Sequence, residues 1–128
     1  KGCAMLVNSN LFNEVGKFDE KYFLFYEEID LCKKIKKKNY SIVLCNDSLA
    51  NHKTSSSSKD DYITLFIKSY HIEKSTMIYY NKSKLSFSQI WKLIKYIFRT
   101  LTYLLILNVK KSLINFAKFF AIINYMLK

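Results

Sequence analysis

Apolar and polar positions divide the chain into short blocks of different period. Cys3-Ala4-Met5-Leu6-Val7, bounded by Gly2 and Asn8, has the length of a buried strand. Asn8, Ser9 and Asn10 then offer N-cap oxygens for a short helix over Leu11–Val15, and Gly16 sits where a C′ residue is needed. Beyond Phe18-Asp19-Glu20, the aromatics Tyr22, Phe23, Phe25 and Tyr26 crowd a stretch without clear periodicity, a pattern that packs a loop onto a core. From Glu27 to about Lys38 the spacing predicts a helix with Leu31, Cys32 and Ile35 as its apolar stripe. Its acids lie in the first turn and its lysines in the last two, which complements the helix dipole at both ends. Asn39 is a helix stop, Tyr40–Cys45 reads as a β-branched strand, Asn46-Asp47 as a turn and Ser48–Asn51 as a further short strand. Lys53–Ser58 is a polar, serine-rich loop.

The second half is predicted to be helical throughout. A helix over Asp60–Tyr80, capped by the acids at 60 and 61, carries Tyr62, Phe66, Tyr70 and Met77 along one face. Residues 87–107 and 112–127 form two strongly apolar helical stretches with a break at 108–111. The longest uncharged runs in this region, Thr100–Val109 and Phe119–Leu127, are ten and nine residues. A bilayer crossing needs roughly 17 to 25 predominantly apolar residues, so a simple span is not expected. An in-plane helix fits better. Lys92, Lys95 and Arg99 recur at intervals of three and four, Ile90, Leu93, Ile94, Ile97, Leu101 and Leu104 lie opposite, and Trp91 falls near the edge.

Charge sharpens that expectation. The chain has a formal charge of +11 over 128 residues. Residues 1–53 hold nine Lys against seven acids, whereas residues 54–128 hold eleven Lys and Arg99 against three acids, and no acid follows Glu73. So uneven a distribution suits an anionic partner. The basic residues are embedded in aliphatic surface without a stacking platform or recognition helix. An anionic membrane surface is therefore favoured, with packing of the two helices on each other or on another domain as the alternative, and nucleic acid is not expected. An apolar fraction of 50% with 16% aromatics excludes a disordered tail. With only Gly2 and Gly16, no glycine-rich phosphate loop can be built from this chain. Cys3, Cys32 and Cys45 show no metal-type spacing and read as small buried hydrophobes in a reducing compartment, with zinc ligation alongside His52 or His71 disfavoured.

The densest chemistry is Tyr26-Glu27-Glu28-Ile29-Asp30-Leu31-Cys32, three carboxylates within four residues at a helix start. Dipole complementation alone accounts for acids in that position. Glu28, however, projects on the side of Leu31, Cys32 and Ile35, which aims its carboxylate at the body of the protein. A carboxylate that is ionised yet partly dehydrated is suited to taking a proton from an attacking hydroxyl.

Four motifs in order, Gly2–Val7, Leu11–Phe23, Tyr26–Ile35 with Asn39–Ile42, and His52 with Ser55–Ser58, resemble the C-terminal half of family 2 glycosyltransferases, the rhamnosyltransferase-like group. The likeness continues more weakly through 62–83, where the family often has Arg-Asn and this chain has Lys74-Ser75. The resemblance implies an α/β fold of GT-A type, with residues 1–83 the acceptor-side half of the catalytic domain, while residues 84–128 read from their own pattern as a basic amphipathic helical hairpin at a membrane. It also implies inverting transfer from a nucleoside-diphosphate sugar, aided by a divalent metal such as Mg or Mn, to a glycan or lipid-linked acceptor in surface polysaccharide synthesis.

By position in the motifs, Glu28 is implied as the general base, with Glu where the family usually has Asp. Asp30 and Glu27 are implied as supporting acids. His52 is implied as a contact for metal and diphosphate, and Gly2 as the residue that permits close approach of the acceptor. The family's nucleotide-binding half, with its Asp-x-Asp metal ligands, has no counterpart in these residues. The chain therefore reads as a part that is inactive alone, working on the cytoplasmic face of the cytoplasmic membrane. Trp91, Lys92, Lys95 and Arg99 are expected to touch that membrane. The competing reading is a noncatalytic membrane-surface or scaffolding module, in which the acids only cap a helix.

Overall fold

The computed structural model describes residues 4–51, 61–80 and 86–127. Five helices follow one another: α1 Ser9–Glu14, α2 Glu27–Lys37, α3 Tyr62–Tyr79, α4 Phe87–Leu105 and α5 Val109–Met126. The starts follow local chemistry. Asn8 Oδ1 accepts from the backbone N–H of Asn10 and of Leu11 to open α1, Asp61 accepts from Thr64 N–H to open α3, and Asn108 accepts from Lys111 N–H to open α5. Ser86 and Gln89 form a capping box at α4.

Three helix ends share one backbone solution and differ in the residue that adopts it. Each closes with the paired bonds of a Schellman motif around a left-handed C′ residue. That residue is Gly16 (φ 81°) after α1, Asn39 (φ 63°) after α2 and Leu107 (φ 56°) after α4. Glycine and asparagine tolerate this region. Leucine is strained there by about 1 kcal/mol or more.

The expected α/β architecture is overturned, because all regular structure among the described residues is helical and no strand or sheet is present. The GT-A arrangement implied by the resemblance has no counterpart in them. Residues 4–7, 40–45 and 48–51 are irregular, although the turn at Asn46-Asp47 is present. The reason lies in what a strand requires: a ladder takes its hydrogen bonds from a neighbour, and no described segment pairs with these as a strand. Their apolar side chains remain in solvent, including Leu6, Val43, Leu44 and Leu49. Cys45 is exposed for the same reason, and Cys32 is only half-buried, so neither is the buried hydrophobe expected of it.

The core lies in the helical half. α5 is the central element, packed by both α3 and α4, so α3 of the 1–83 segment shares its core with the 84–128 hairpin. Met77 of α3, Tyr96 of α4 and Ile122 of α5 form the centre, with Leu93, Phe119, Tyr125 and Met126 around them. Met77 and Ile122 are fully buried, each contributing roughly 1.5–3 kcal/mol. Ala117 and Ala121, also fully buried, allow the neighbouring helices to approach α5 closely. Phe66 and Tyr70 of α3 pack on Phe116 and Phe120 of α5, as the aromatic face of that helix predicts. Polar ties cross the same seams: Asn124 donates to Tyr70 Oη at 2.7 Å, and Ser112 Oγ donates to the Thr100 carbonyl at 3.0 Å.

A buried ionic contact joins α3 to α4. Glu73 is 5% exposed, accepts from Lys92 Nζ at 2.7 Å and from Tyr96 Oη at 2.9 Å. Burial first, then the charge and hydrogen bond of Glu73, hold the Tyr96 hydroxyl well above the ordinary phenol range, with Arg99 opposing.

Candidate functional site

The acid cluster sits at the start of α2 and is presented by a constrained turn. Asp19 accepts from Lys21 N–H at 3.1 Å, and Tyr22 N–H donates to the Asp19 carbonyl. Phe25 (φ 66°) and Tyr26 (φ 72°) then adopt left-handed backbone in succession, which swings the chain sharply into α2. Two aromatic residues hold this conformation only where surrounding contacts enforce it. α3 supplies those contacts. Ser75 Oγ, nearly inaccessible to solvent, donates to the Leu24 carbonyl at 2.8 Å. The Tyr26 ring lies 5.3 Å from that of Tyr79, Lys33 Nζ stands 4.6 Å over the Tyr79 ring, and Phe23 leans on His71 with centroids 4.5 Å apart. Burial first, and Lys74 second, lower the pKa of His71 and favour its neutral form.

No side chain caps α2 at Tyr26. The positive end of the helix instead meets Glu27, Glu28 and Asp30 of its own first turn. Glu27 Oε2, Glu28 Oε2 and Asp30 Oδ2 are each withdrawn from solvent without a hydrogen-bond partner. Lys34 Nζ lies 3.0 Å from Asp30 Oδ2, close enough for an ion pair but not aligned as a hydrogen bond. Buried carboxylate oxygens normally have donors, so three without a hydrogen bond mark an unsatisfied acceptor cluster on residues that are themselves half-buried. Leu31 and Ile35, both buried, anchor the inner face of α2 beneath them. Tyr22 borders the cluster. Burial pushes its hydroxyl up to about 12, reinforced by the charges of Asp30 and then Asp19.

The structure thus brings together Glu27, Glu28 and Asp30 of the expected site. Gly2 and His52 lie outside the described residues, as do Ser55–Ser58 and Asp60. Trp91, Lys95 and Arg99 are exposed on α4, whereas Lys92 turns toward Glu73. Among the described residues no group of three or more His, Cys, Asp or Glu is placed to hold a metal ion. A shallow cleft of about 300 Å³ is lined by Asp61, Tyr62, Leu65 and Lys110, none of them in the acid cluster. Sequence reasoning missed Tyr22, Lys33, Ser75 and Tyr79. Tyr22 stood in the aromatic cluster before α2 and Ser75 in the pair Lys74-Ser75, whereas Lys33 and Tyr79 carried no signal of their own.

Over part of its length the chain is related to glycosyltransferases of glycan biosynthesis. It is 33% identical over 60 residues to the N-acetylglucosaminyl-diphospho-decaprenol L-rhamnosyltransferase of Mycobacterium tuberculosis, a match covering 46% of this chain and 20% of that protein. It is 32% identical over 44 residues to the low-salt glycan biosynthesis hexosyltransferase Agl10 of Haloferax volcanii, covering 34% of this chain and 14% of that protein. The chain therefore spans a fifth or less of the length of these relatives. No family model matches the sequence, and no solved structure matches the fold.

Proposed function

We propose that this chain is the acceptor-side portion of an inverting glycosyltransferase, in which Glu28 is the general base. The observation that carries the reading is the Glu28 Oε2 oxygen, buried without a donor at the start of α2, in a chain partly similar to glycosyltransferases. In the proposed reaction an acceptor hydroxyl donates its hydrogen bond to Glu28. As the hydroxyl oxygen forms a bond to the anomeric carbon, its proton passes to the Glu28 carboxylate and the sugar–diphosphate bond breaks. The nucleoside diphosphate leaves with that electron pair, and the anomeric configuration inverts in the single displacement.

Asp30 and Glu27 support the base. Lys34 pairs with Asp30, and all three acids lie in the first turn of α2. Ser75 and Tyr79 act as positioning residues, since they hold the turn that aims Glu28. The donor is a nucleoside-diphosphate sugar and the acceptor a glycan, lipid-linked in the setting we favour, at the inner face of the cytoplasmic membrane. A divalent metal belongs to the family resemblance, and no step is assigned to one, because His52, its expected contact in this chain, lies outside the described residues.

Glu28→Gln in the intact protein is expected to lower transfer by at least about 100-fold, the usual scale of general-base catalysis, while donor binding is retained. Near-normal turnover would show that the acids serve only the helix. Ser75→Ala is expected to lower turnover less than Glu28→Gln does and to leave its pH profile unshifted, because the base itself remains.

A further inference from the structure

α4 is turned inside out. Its inward face carries Gln89, Lys92, Tyr96 and Thr100, which are buried or half-buried. Its outward face carries Phe87, Trp91, Ile94, Phe98, Leu101 and Leu105, all exposed. Ile90, Ile97 and Leu104 widen this stripe, which at 100° per residue covers an arc of about 140°. At 1.5 Å per residue it runs for roughly 28 Å. At its C-terminal end the stripe meets an apolar corner, Ile106-Leu107, with Leu107 85% exposed.

A further feature of the corner is locally unfavourable. Leu107 occupies a left-handed position that suits glycine. The outward apolar face and Leu107 are thus two local misfits along one surface, whereas Lys111 Nζ rests 5.4 Å over the Tyr103 ring and Lys110 lines a cleft with Asp61 and Tyr62. Such misfits are expected at a functional surface, where an external partner compensates them.

We propose that the outward face of α4 and the Ile106-Leu107 corner dock on an anionic lipid bilayer. The helix lies in the membrane plane, with Trp91 and Phe98 in the acyl boundary and Lys95 and Arg99 at the headgroups. No helix among the described residues is long and apolar enough to cross a membrane. Charge selects lipid over a second copy of the chain, because no acid follows Glu73 and two copies would bring basic flank to basic flank. The arc is also wider than the narrow seam of a coiled coil. The inference deepens the membrane setting proposed above and does not depend on Glu28, so vesicle binding can succeed where the transfer assignment fails, or the reverse.

Trp91 is the sole tryptophan, and its fluorescence reports directly on the surface. Vesicles of phosphatidylcholine with phosphatidylglycerol are expected to retain the full chain and shift Trp91 emission to the blue, and added salt is expected to release it. Lys95→Gln with Arg99→Gln is expected to weaken retention about 30-fold, from roughly fivefold for each basic residue at such a surface. Phe98→Asn weakens it by removing apolar insertion, with far-ultraviolet circular dichroism confirming that the helices persist. Equal retention by pure phosphatidylcholine at all salt concentrations overturns the proposal. So does a concentration-dependent dimer that Phe98→Asn dissolves while vesicles leave Trp91 emission unchanged, since the face would then be covered by a second copy.

Discussion

Glu73 ties α3 to α4 through a buried carboxylate. It is held by Lys92 and Tyr96 from the next helix, so removing it leaves two donors without an acceptor. Glu73→Ala is expected to destabilise the chain by about 1–3 kcal/mol in urea denaturation, the range for orphaning a buried polar group. Glu73→Gln should cost less, because an amide oxygen can still accept from Tyr96. In the sequence Glu73 was visible only as the last acid before a basic tail. Its burial depends on a lysine nineteen residues further on, in another helix, which no local pattern reveals.

Two of the ten tyrosines, Tyr22 and Tyr96, ionise late, and this makes stability pH-dependent. Their folded-state pKa values lie above the unfolded value near 10, so the unfolded chain releases these protons first. The stabilisation is complete below about pH 10 and declines as pH rises toward 12. Tyrosinate absorbance followed with helical circular dichroism should show a late-titrating fraction that Tyr22→Phe reduces. An unchanged fraction in that variant contradicts the late ionisation of Tyr22.

Helices were legible because their signals are local. Asn8, Gly16, Asn39 and Asp61 fix starts and stops within a turn of the helix they bound, and the acid-to-lysine gradient marks α2 from end to end. Strands were not legible in the same sense. Tyr40–Cys45 has the composition of one, but composition states only what a segment could pair with. The orientation of α4 was half legible: periodicity separated apolar from basic positions, yet only the packing of α4 on α5 decides that the apolar set faces outward. Leu107 tests this element most directly. Leu107→Gly relieves the left-handed strain and should raise stability by about 0.5–1 kcal/mol once the greater freedom of glycine in the unfolded chain is subtracted. The same change should reduce vesicle retention. A variant that is more stable and binds less separates insertion from folding, whereas one that is less stable shows that Leu107 packs within the protein.

At the scale of the molecule, the chain divides into a helical core and a segment fastened to it at a few points. The α3–α4–α5 assembly contains the central buried cluster. The segment through α2 is joined to the rest by the Ser75–Leu24 hydrogen bond, the ring contacts of Phe23 and Tyr26, the Lys33–Tyr79 pair and the burial of Leu31 and Ile35. Local opening follows the density of buried contacts, so the two should exchange amide hydrogens at different rates. Amides of α3 and α5 are expected to exchange slowest, α2 faster, and residues 40–51, whose apolar side chains lie in solvent, near the rate of an unfolded chain. Ser75→Ala should speed exchange across 24–31 while leaving α5 unchanged, because it releases the turn that carries Glu28 and spares the core. If α2 and α5 instead exchange together in both proteins, the acid cluster belongs to the same cooperative unit as the helical core, and Ser75 has no separate part in aiming the base.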